Sequence, residues 1–367
     1  CRTRRRDGHA YDVGGHIPFV EDESRQAWLD DLMGGDLHWV DRPVSCVRDG
    51  RIVRGRYLDQ RGPGGDRGPE GPSAADLLSS RFGADFVAST IRPYLEKVDG
   101  VALAEIPAER AQKLLETQAA PEGFWFPGGG IGSLMNAMAR RIRESGGRVL
   151  TSTPATAIHH SDGVVTAIDV DGPGGRRRIA CRNLVIASPA GRSHRLLEPA
   201  GEPLPPVRMR AVAIVCLEIA AEAVSDEAWI QVDDPDVAFA RAFEPRNWSR
   251  RMAPEGRTML GLECYCSPAD DDPVWKLDDA GLAERCAGDL VRLGWIAAEA
   301  GRRLIEVIRL PAAYPEFARD QLPAIAAPRA ALEALDGTHL APGAAVIEAI
   351  AAGEHAAAGI TEQRTAA

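Results

Sequence analysis

A predicted helix and a later apolar strand restrict the fold of this chain more than any other feature. Residues 133–145 carry an apolar side chain at every fourth position, which is typical of an amphipathic helix, and Gly146-Gly147 ends it. Further on, the run Asn183–Ser188 is apolar through its centre. A short strand of this kind is typical of a sheet that is covered on both faces, so the sequence predicts a layered α/β fold.

The chain after residue 208 shows a different pattern, which is typical of an antiparallel sheet. Alternating or wholly apolar segments predict strands at 211–219, 228–232, 238–243 and 258–266. A further strand is predicted at 148–152, directly after the helix. The sequence therefore predicts an α+β region with an antiparallel sheet in addition to the layered part.

Composition excludes several classes of protein. The 367 residues carry a net charge of −10, whereas a protein that binds nucleic acid usually shows a basic face. No apolar run has the length of a membrane span. Seven cysteines without a paired framework favour a reducing compartment, so we expect a cytoplasmic protein. No spacing of ligand residues indicates a metal site.

Two glycine-rich steps are candidates for ligand contact. The step Asp12–His16 contains two consecutive glycines, and since glycine has no Cβ, the backbone there can lie close to a flat ligand. A simple tight turn is the alternative. Gly128–Gly132 lacks the lysine of a phosphate-binding loop, so the turn that enters a helix is the favoured interpretation.

Three separated blocks give the chain a resemblance to a known family. They are Asp12–His16, the stretch from Phe126 to Pro189, and Phe243–Ser249. In their order the blocks resemble the FAD-dependent amine oxidase and protoporphyrinogen oxidase superfamily, which also includes phytoene desaturases and UDP-galactopyranose mutases. That order is more specific than any single block.

The resemblance implies a layered sheet of the FAD/NAD(P)-binding type with an interleaved α+β substrate domain. The FAD-binding part would comprise residues 1–40, 125–205 and 305–367. The substrate domain would comprise residues 41–124 and 206–304.

Two family motifs for the dinucleotide differ in this chain. No G-x-G-x-x-G turn is found in it, and a motif near the C-terminus is shortened to Leu340–Ile347, with Pro342 in place of a glycine. The resemblance therefore implies an incomplete sheet that lacks a first βαβ unit of about thirty residues. Because this loss would uncover apolar sheet surface, we expect the chain to self-associate.

By the same resemblance, the cofactor is FAD and its contacts lie in three places. The residues expected to line the flavin are Gly14, Gly15 and His16. The backbone of Ala155 would contact the adenine, and Gly129 and Gly130 would face the active cavity. The aromatic groups expected to set the choice of substrate are Trp248, Tyr265 and Trp275. No catalytic residue is assigned.

The activity that the resemblance implies is hydride transfer from a C–N or C–C bond of a small organic substrate to FAD. Two alternatives stay open: a truncated, non-catalytic paralogue, and a flavin-dependent nucleotide-sugar mutase. A mutase would require an arginine cluster for the diphosphate. The candidates for that cluster are Arg246, Arg250 and Arg251.

Three further positions have plain structural interpretations beside the functional ones. His16 is either a polar group over the flavin or a solvated loop histidine. Lys276 is interpreted as a surface residue although a lysine can serve near a flavin. Cys264 and Cys266 share one face of a predicted strand and are interpreted as buried thiols.

Overall fold

The computed structural model of the protein describes residues 1–16, 23–41, 44–48, 50–57, 71–116, 123–200, 203–268, 271–341, 343 and 346–366. These residues form two compact units. The first comprises residues 1–137 and 208–319, and the second comprises residues 138–207 and 320–367. The division into an FAD-binding part and a substrate domain stays a prediction. No helix within the described ranges is both long and apolar enough to cross a membrane.

A seven-stranded sheet forms the centre of the first unit. Its strands are β4 (Val44–Arg48), β5 (Arg51–Arg54), β12 (Met209–Ile219), β13 (Trp229–Gln231), β14 (Arg241–Phe243), β15 (Thr258–Cys266) and β16 (Arg302–Pro315). They run in the order β16-β12-β15-β14-β13-β4-β5. Neighbours are antiparallel except β13 and β4, which are parallel. The predicted antiparallel sheet is therefore confirmed.

Both faces of the central strands are buried, because successive side chains alternate between two apolar layers. On β15, Leu262 and Cys264 belong to one layer, together with buried side chains of a helix at 279–292. Tyr265 belongs to the other layer, together with Val212 and Ile214 of β12. We call this second layer the inner face of the sheet. It receives the polar cluster described below.

Two small strand pairs and several helices complete the first unit. The strand pairs are β1 (Thr3–Arg6) with β2 (His9–Asp12), and β3 (Leu37–Asp41) with β6 (Gly123–Pro127), both antiparallel. The helices are α1 (Glu23–Met33), α2 (Ala74–Phe82), α3 (Ala84–Phe86), α4 (Arg92–Asp99), α5 (Ala108–Glu116), α8 (Pro273–Lys276) and α9 (Asp279–Arg292). A π-helical turn at Val87–Ile91 joins α3 to α4.

The predicted helix at 133–145 is confirmed as α6 (Ile131–Glu144), which begins in the first unit and ends in the second. Leu134 is fully buried, as its apolar pattern indicates, but Ile142 is 46% exposed. The strand predicted at 148–152 is not formed. A strand requires a hydrogen-bonding neighbour, and the described residues supply none there.

The second unit contains an antiparallel sheet and a separate parallel strand pair. Its strands are β7 (Ala155–Ser161), β8 (Val164–Gly172), β9 (Gly175–Ala180), β10 (Leu184–Ile186), β11 (Leu197–Glu198) and β17 (Thr338–Leu340). Its helices are α7 (Ala190–His194), α10 (Leu322–Glu333) and α11 (Val346–Ala366). Strands β7, β8 and β9 are antiparallel neighbours, with β11 parallel to β7. Pro342 of the shortened motif lies outside the described residues.

Strand β10 pairs only with β17 among the described residues, and the two strands are parallel. The expectation that β10 is covered on both faces is wrong here, since Val185 is 43% exposed while Ile186 is buried. Parallel sheets are rarely left with one open face. Self-association through this surface stays a prediction.

Candidate functional site

A buried carboxylate fixes the glycine-rich step to the start of α6. Asp12 has no exposed surface, and its Oδ1 accepts a hydrogen bond from Thr3 Oγ1 at 2.5 Å. The backbone N–H of Ile131 donates to both carboxylate oxygens, at 3.1 and 3.2 Å. The first N–H groups of a helix have no partner within the helix, and a carboxylate there is favoured by the helix dipole. Since Asp12 already fills this helix end, Gly128–Gly132 is a helix-entry turn, as predicted.

Gly129 and Gly130 lie against the β1–β2 hairpin. A Cβ on Gly130, whose φ is +89°, would stand 2.5 Å from Thr3 Oγ1. The carbonyl of Gly129 accepts a hydrogen bond from Arg5 Nη2 at 2.9 Å. The missing side chain of Gly130 thus makes room for Thr3. Whether either glycine also faces a ligand cavity stays a prediction.

The two glycines after Asp12 have different surroundings. A Cβ on Gly15 would stand 2.1 Å from the indole ring of Trp229, so only glycine leaves room for that ring at this position. Gly14 adopts φ +87°, and the nearest atoms to an added Cβ are Glu263 Oε1 at 3.8 Å and His16 Cε1 at 3.9 Å. The side of Gly14 that lacks a side chain therefore faces Glu263 and His16 at contact distance.

His16 is held by the same loop. Its Nδ1 lies 3.1 Å from the carbonyl oxygen of Gly14, which can only accept a hydrogen bond, so Nδ1 carries the proton. Burial lowers the pKa of His16, despite the opposing effect of Glu263. The ring is consequently neutral at pH 7, and its Nε2 is available to accept a proton. Whether His16 lies over a flavin stays a prediction.

Glu263 and Arg241 form the centre of a polar cluster on the inner face of the sheet. They are direct register partners on β15 and β14, and Arg241 Nε lies 3.1 Å from Glu263 Oε2. Tyr265 Oη donates to the same Oε2 at 3.0 Å and itself accepts a hydrogen bond from Arg241 Nη2. Glu263 Oε1 receives no hydrogen bond from the described residues and is the oxygen nearest Gly14. We call these three residues the Arg241–Glu263–Tyr265 cluster.

Two more tyrosines border this cluster. The ring of Tyr314 stacks on that of Tyr265, with centroids 6.4 Å apart and planes inclined by 17°. Tyr94 is buried, and its ring lies 5.4 Å from that of Tyr57. Burial raises the pKa of both Tyr94 and Tyr314, so both phenols are neutral donors at physiological pH. Arg241 retains 30% exposure of its side chain, whereas Glu263 retains 6%.

The three aromatic residues predicted to contact substrate lie in different places. Tyr265 belongs to the cluster. Trp248 is 1% exposed, stacks on Phe243 at 5.2 Å and donates its indole N–H to the carbonyl of Ala228. Trp275 packs in the apolar layer on the opposite face of the sheet. Trp248 and Trp275 thus pack within the layers of the sheet, and their contact with substrate stays a prediction.

The remaining candidates are placed as follows. Ala155 is exposed at the start of β7 in the second unit. Lys276 is an exposed residue that pairs with Asp271, as expected of a surface lysine. Cys264 and Cys266 are fully buried, which confirms their interpretation. The described residues contain no group of three side chains able to hold a metal.

Sequence reasoning missed Glu263, Arg241 and Tyr94. One signal was available: Glu263 stands between Leu262 and Cys264 in an otherwise apolar strand, and buried charges are nearly always paired. The partner could not be deduced, because Arg241 is one of many arginines and its proximity depends on strand register.

Asp12 gives the first testable prediction. Burial raises its pKa from 3.8 to about 6. The folded state then binds this proton more tightly than the unfolded state, so the associated stability is present below pH 4 and is lost as the pH rises through 6. Relative to an always-neutral Asp12→Asn variant, the wild type should lose up to about 3 kcal/mol of unfolding free energy between pH 4 and 7. Urea unfolding at both pH values measures this difference.

Asp236→Asn is the matched control for this experiment, because Asp236 is exposed. Its unfolding free energy should stay parallel to that of the wild type over the same pH range. A pH-independent difference between wild type and Asp12→Asn would contradict the prediction.

Comparisons with known proteins show the family to which the chain belongs. The family model described as "Flavin containing amine oxidoreductase" matches residues 47–361, which is most of the chain. The protein belongs to this family. The family resemblance seen in the sequence is thereby confirmed. No curated protein matches the chain in a sequence comparison.

Solved structures extend the comparison of this flavin containing amine oxidoreductase family member to its whole fold. A putative protoporphyrinogen oxidase from Exiguobacterium sp. 255-15 is 16% identical with a TM-score of 0.70, and the match covers 98% of this chain and 90% of that one. A reduced UDP-galactopyranose mutase is 17% identical with a TM-score of 0.66, over 91% and 78% of the two chains. A putrescine oxidase double mutant is 14% identical with a TM-score of 0.62, over 98% and 90%. At these identities the likeness concerns the fold, and the predicted α/β fold class is confirmed.

Proposed function

We propose that the protein is a flavin-dependent oxidoreductase that takes hydride from a small organic substrate, with FAD as the acceptor. One observation carries the proposal: the side of Gly14 that lacks a side chain faces Glu263 of the Arg241–Glu263–Tyr265 cluster. The glycine step that is expected to flank the flavin therefore lies next to the polar cluster that would contact the substrate. The family of the chain and its neighbours in fold support the same activity.

Gly14 is the glycine of the step that leaves room for a ligand contact. An added Cβ at Gly14 would lie at ordinary contact distance from Glu263 and His16, whereas a Cβ at Gly15 would clash with Trp229. Gly14 and His16 would hold the flavin ring. When bound, FAD supplies the capacity to accept two electrons and a hydride.

The side chains of the protein would then orient the substrate and handle its proton. Glu263 Oε1 would accept a hydrogen bond from a donor group of the substrate, because it has no donor among the described residues. His16 Nε2 is placed to accept a proton, since its Nδ1 is committed to the Gly14 carbonyl. Arg241 and Tyr265 would hold the Glu263 carboxylate in a fixed orientation.

The mutase alternative receives little support from its expected arginine cluster. Arg251 pairs with Asp36 at 2.5 Å, and Arg246 pairs with Glu222 at 2.8 Å. Arg250 alone of the three has no ion pair within the described part of the chain. The non-catalytic paralogue is separated from the proposed enzyme by flavin binding itself. The cytoplasmic location and self-association also stay proposals.

The test is flavin retention by the purified protein. After incubation with FAD and desalting, the wild type should retain the visible flavin absorption bands. The variant Gly14→Ala should lose them, with FAD affinity lowered at least about tenfold, because the new methyl group occupies the side expected to face the ring. The backbone strain should cost only about 1–2 kcal/mol, so the variant should remain folded.

Gly35→Ala is the matched control, because Gly35 has φ +84° and no atom within 4 Å of an added Cβ. It carries the same backbone strain away from the site and should retain flavin. A wild type that stays colourless would overturn the proposed function and favour the non-catalytic alternative. If Gly14→Ala retained as much flavin as the wild type, the flavin would not contact this loop.

A further inference from the structure

A second cavity lies in the first unit, away from the candidate site. It is a groove of about 440 Å³, which is within the usual range for a small-molecule site. Its walls come from β3, the end of β5 and the two 3₁₀ turns Pro245–Asn247 and Arg250–Met252. Among its lining side chains are Trp39, the carboxylates Asp41 and Asp226, and the arginines Arg54, Arg246 and Arg250.

An aromatic wall separates this groove from Gly14 and the Arg241–Glu263–Tyr265 cluster. Gly15 packs directly on Trp229, whose ring meets that of Trp248 edge to face at 5.8 Å. Trp248, in turn, stacks on Phe243 and is one of the residues that line the groove. Both tryptophans are therefore intervening core, and the groove is a separate site.

Trp39 offers the groove a fixed aromatic surface. Its side chain belongs to β3 and is 47% exposed, which is unusual for an indole. The ring is held in place on three sides: its N–H donates to Asp41 Oδ1 at 3.0 Å, Trp125 meets it at 5.6 Å, and it fills the space beside Gly123. A rigid, half-exposed ring of this kind can stack on a planar group without loss of side-chain entropy.

Arg250 provides a free positive charge at the same groove. Within the described ranges it makes no ion pair and no side-chain hydrogen bond, and it is exposed. Arg246, also in the wall, is only 11% exposed and is already neutralised by Glu222. A guanidinium group without a partner binds a carboxylate through two parallel hydrogen bonds.

The acidic side chains of the groove limit the charge of its ligand. Asp41 and Asp226 both line it, and each would repel a second negative charge. A singly charged carboxylate is therefore favoured over a phosphate dianion. The ring of the ligand would meet Trp39 while its carboxylate meets Arg250.

We propose that this groove binds an aromatic monocarboxylate, as a second ligand site outside the flavin-dependent reaction. The probe is 2-naphthoate, titrated into the full-length protein by calorimetry at low salt. Saturable binding of one molecule per chain is expected. 2-Naphthyl phosphate, with the same ring and a greater charge, should bind at least about fivefold more weakly, and cyclohexanecarboxylate, without an aromatic ring, should bind weakly as well.

Matched variants locate the site. Arg250→Gln and Trp39→Leu should each lower the affinity for 2-naphthoate about tenfold or more. Arg92→Gln and Trp28→Leu remove an exposed arginine and an exposed indole elsewhere, and should leave the affinity unchanged. Gly14→Ala should also bind the probe normally, which separates this site from the proposed flavin site.

Three results would overturn the proposal. The first is a wild type with no saturable binding of 2-naphthoate. The second is an affinity for 2-naphthoate that is unchanged in Arg250→Gln and Trp39→Leu. These variants and their two controls replace exposed side chains, so all four should fold. The third is tighter binding of 2-naphthyl phosphate, which would show that the groove selects a dianion.

Discussion

Replacing Glu263 by alanine is expected to lower the free energy of unfolding by about 3 kcal/mol. The carboxylate is 6% exposed, and its loss leaves the Arg241 guanidinium without its counter-charge and Tyr265 without its acceptor. Removing one partner of a buried ion pair is costly because the other charge remains desolvated. Because the Arg241 side chain is 30% exposed, we place the cost at the lower end of the range for such pairs. Urea unfolding monitored by circular dichroism measures it.

Glu284→Ala serves as the control, since Glu284 lies on the exposed side of α9. Its effect should stay within about 0.5 kcal/mol. Glu263→Gln keeps an acceptor for Tyr265 and should fall between wild type and Glu263→Ala. If Glu263→Ala were as stable as the control, the cluster would not be coupled to the fold, and its role in the site would have to be reconsidered.

Gly15→Ala is expected to be the most damaging single methyl addition in the loop, with a loss of about 3 kcal/mol or failure to fold. An ideal Cβ at this position would stand 2.1 Å from Trp229, and three atoms of the indole lie within 2.8 Å of it. The ring cannot simply move away, because it is packed edge to face against Trp248. Thermal and urea unfolding of the purified variant would measure the loss.

Two companions make this second prediction specific. Gly174→Ala adds a methyl group where no atom lies within 4 Å, so its stability should match the wild type. In the double variant Gly15→Ala with Trp229→Leu, the clash disappears, so the two substitutions should cost less together than the sum of their separate effects. Simple additivity in this cycle would show that Gly15 and Trp229 do not compete for the same space.

Periodic elements of the fold could be predicted from the sequence, because their pattern is local. The strand at 258–266 and the helix at 133–145 are present within two residues of their expected ends. The strand at 148–152 failed because a strand also depends on a neighbour that the local pattern does not specify. The apolar pattern of Asn183–Ser188 identified a strand but not which of its faces would be covered.

In the candidate site, too, only the residues with a local sequence signal could be predicted. Gly14 and His16 could be identified from a short motif, since the backbone requirement for glycine is local. The different surroundings of Gly14 and Gly15 could not be predicted, because Trp229 reaches Gly15 from more than two hundred positions away in the sequence. Tyr265 was found as an aromatic residue on a strand, while its partner Arg241 required the register of two strands.

The register of β14 and β15 also affects how the two strands align during folding. Arg241 and Glu263 face each other as one rung of the ladder between β14 and β15, with Ala242 opposite Leu262 as the next rung. A slip of one residue in either strand would exchange charged side chains for apolar ones on both faces of the sheet. The ion pair thus favours the correct register of β14 and β15, because only the correctly aligned strands bring both charges together. A misaligned chain would lose this pair, whatever its helix and strand content.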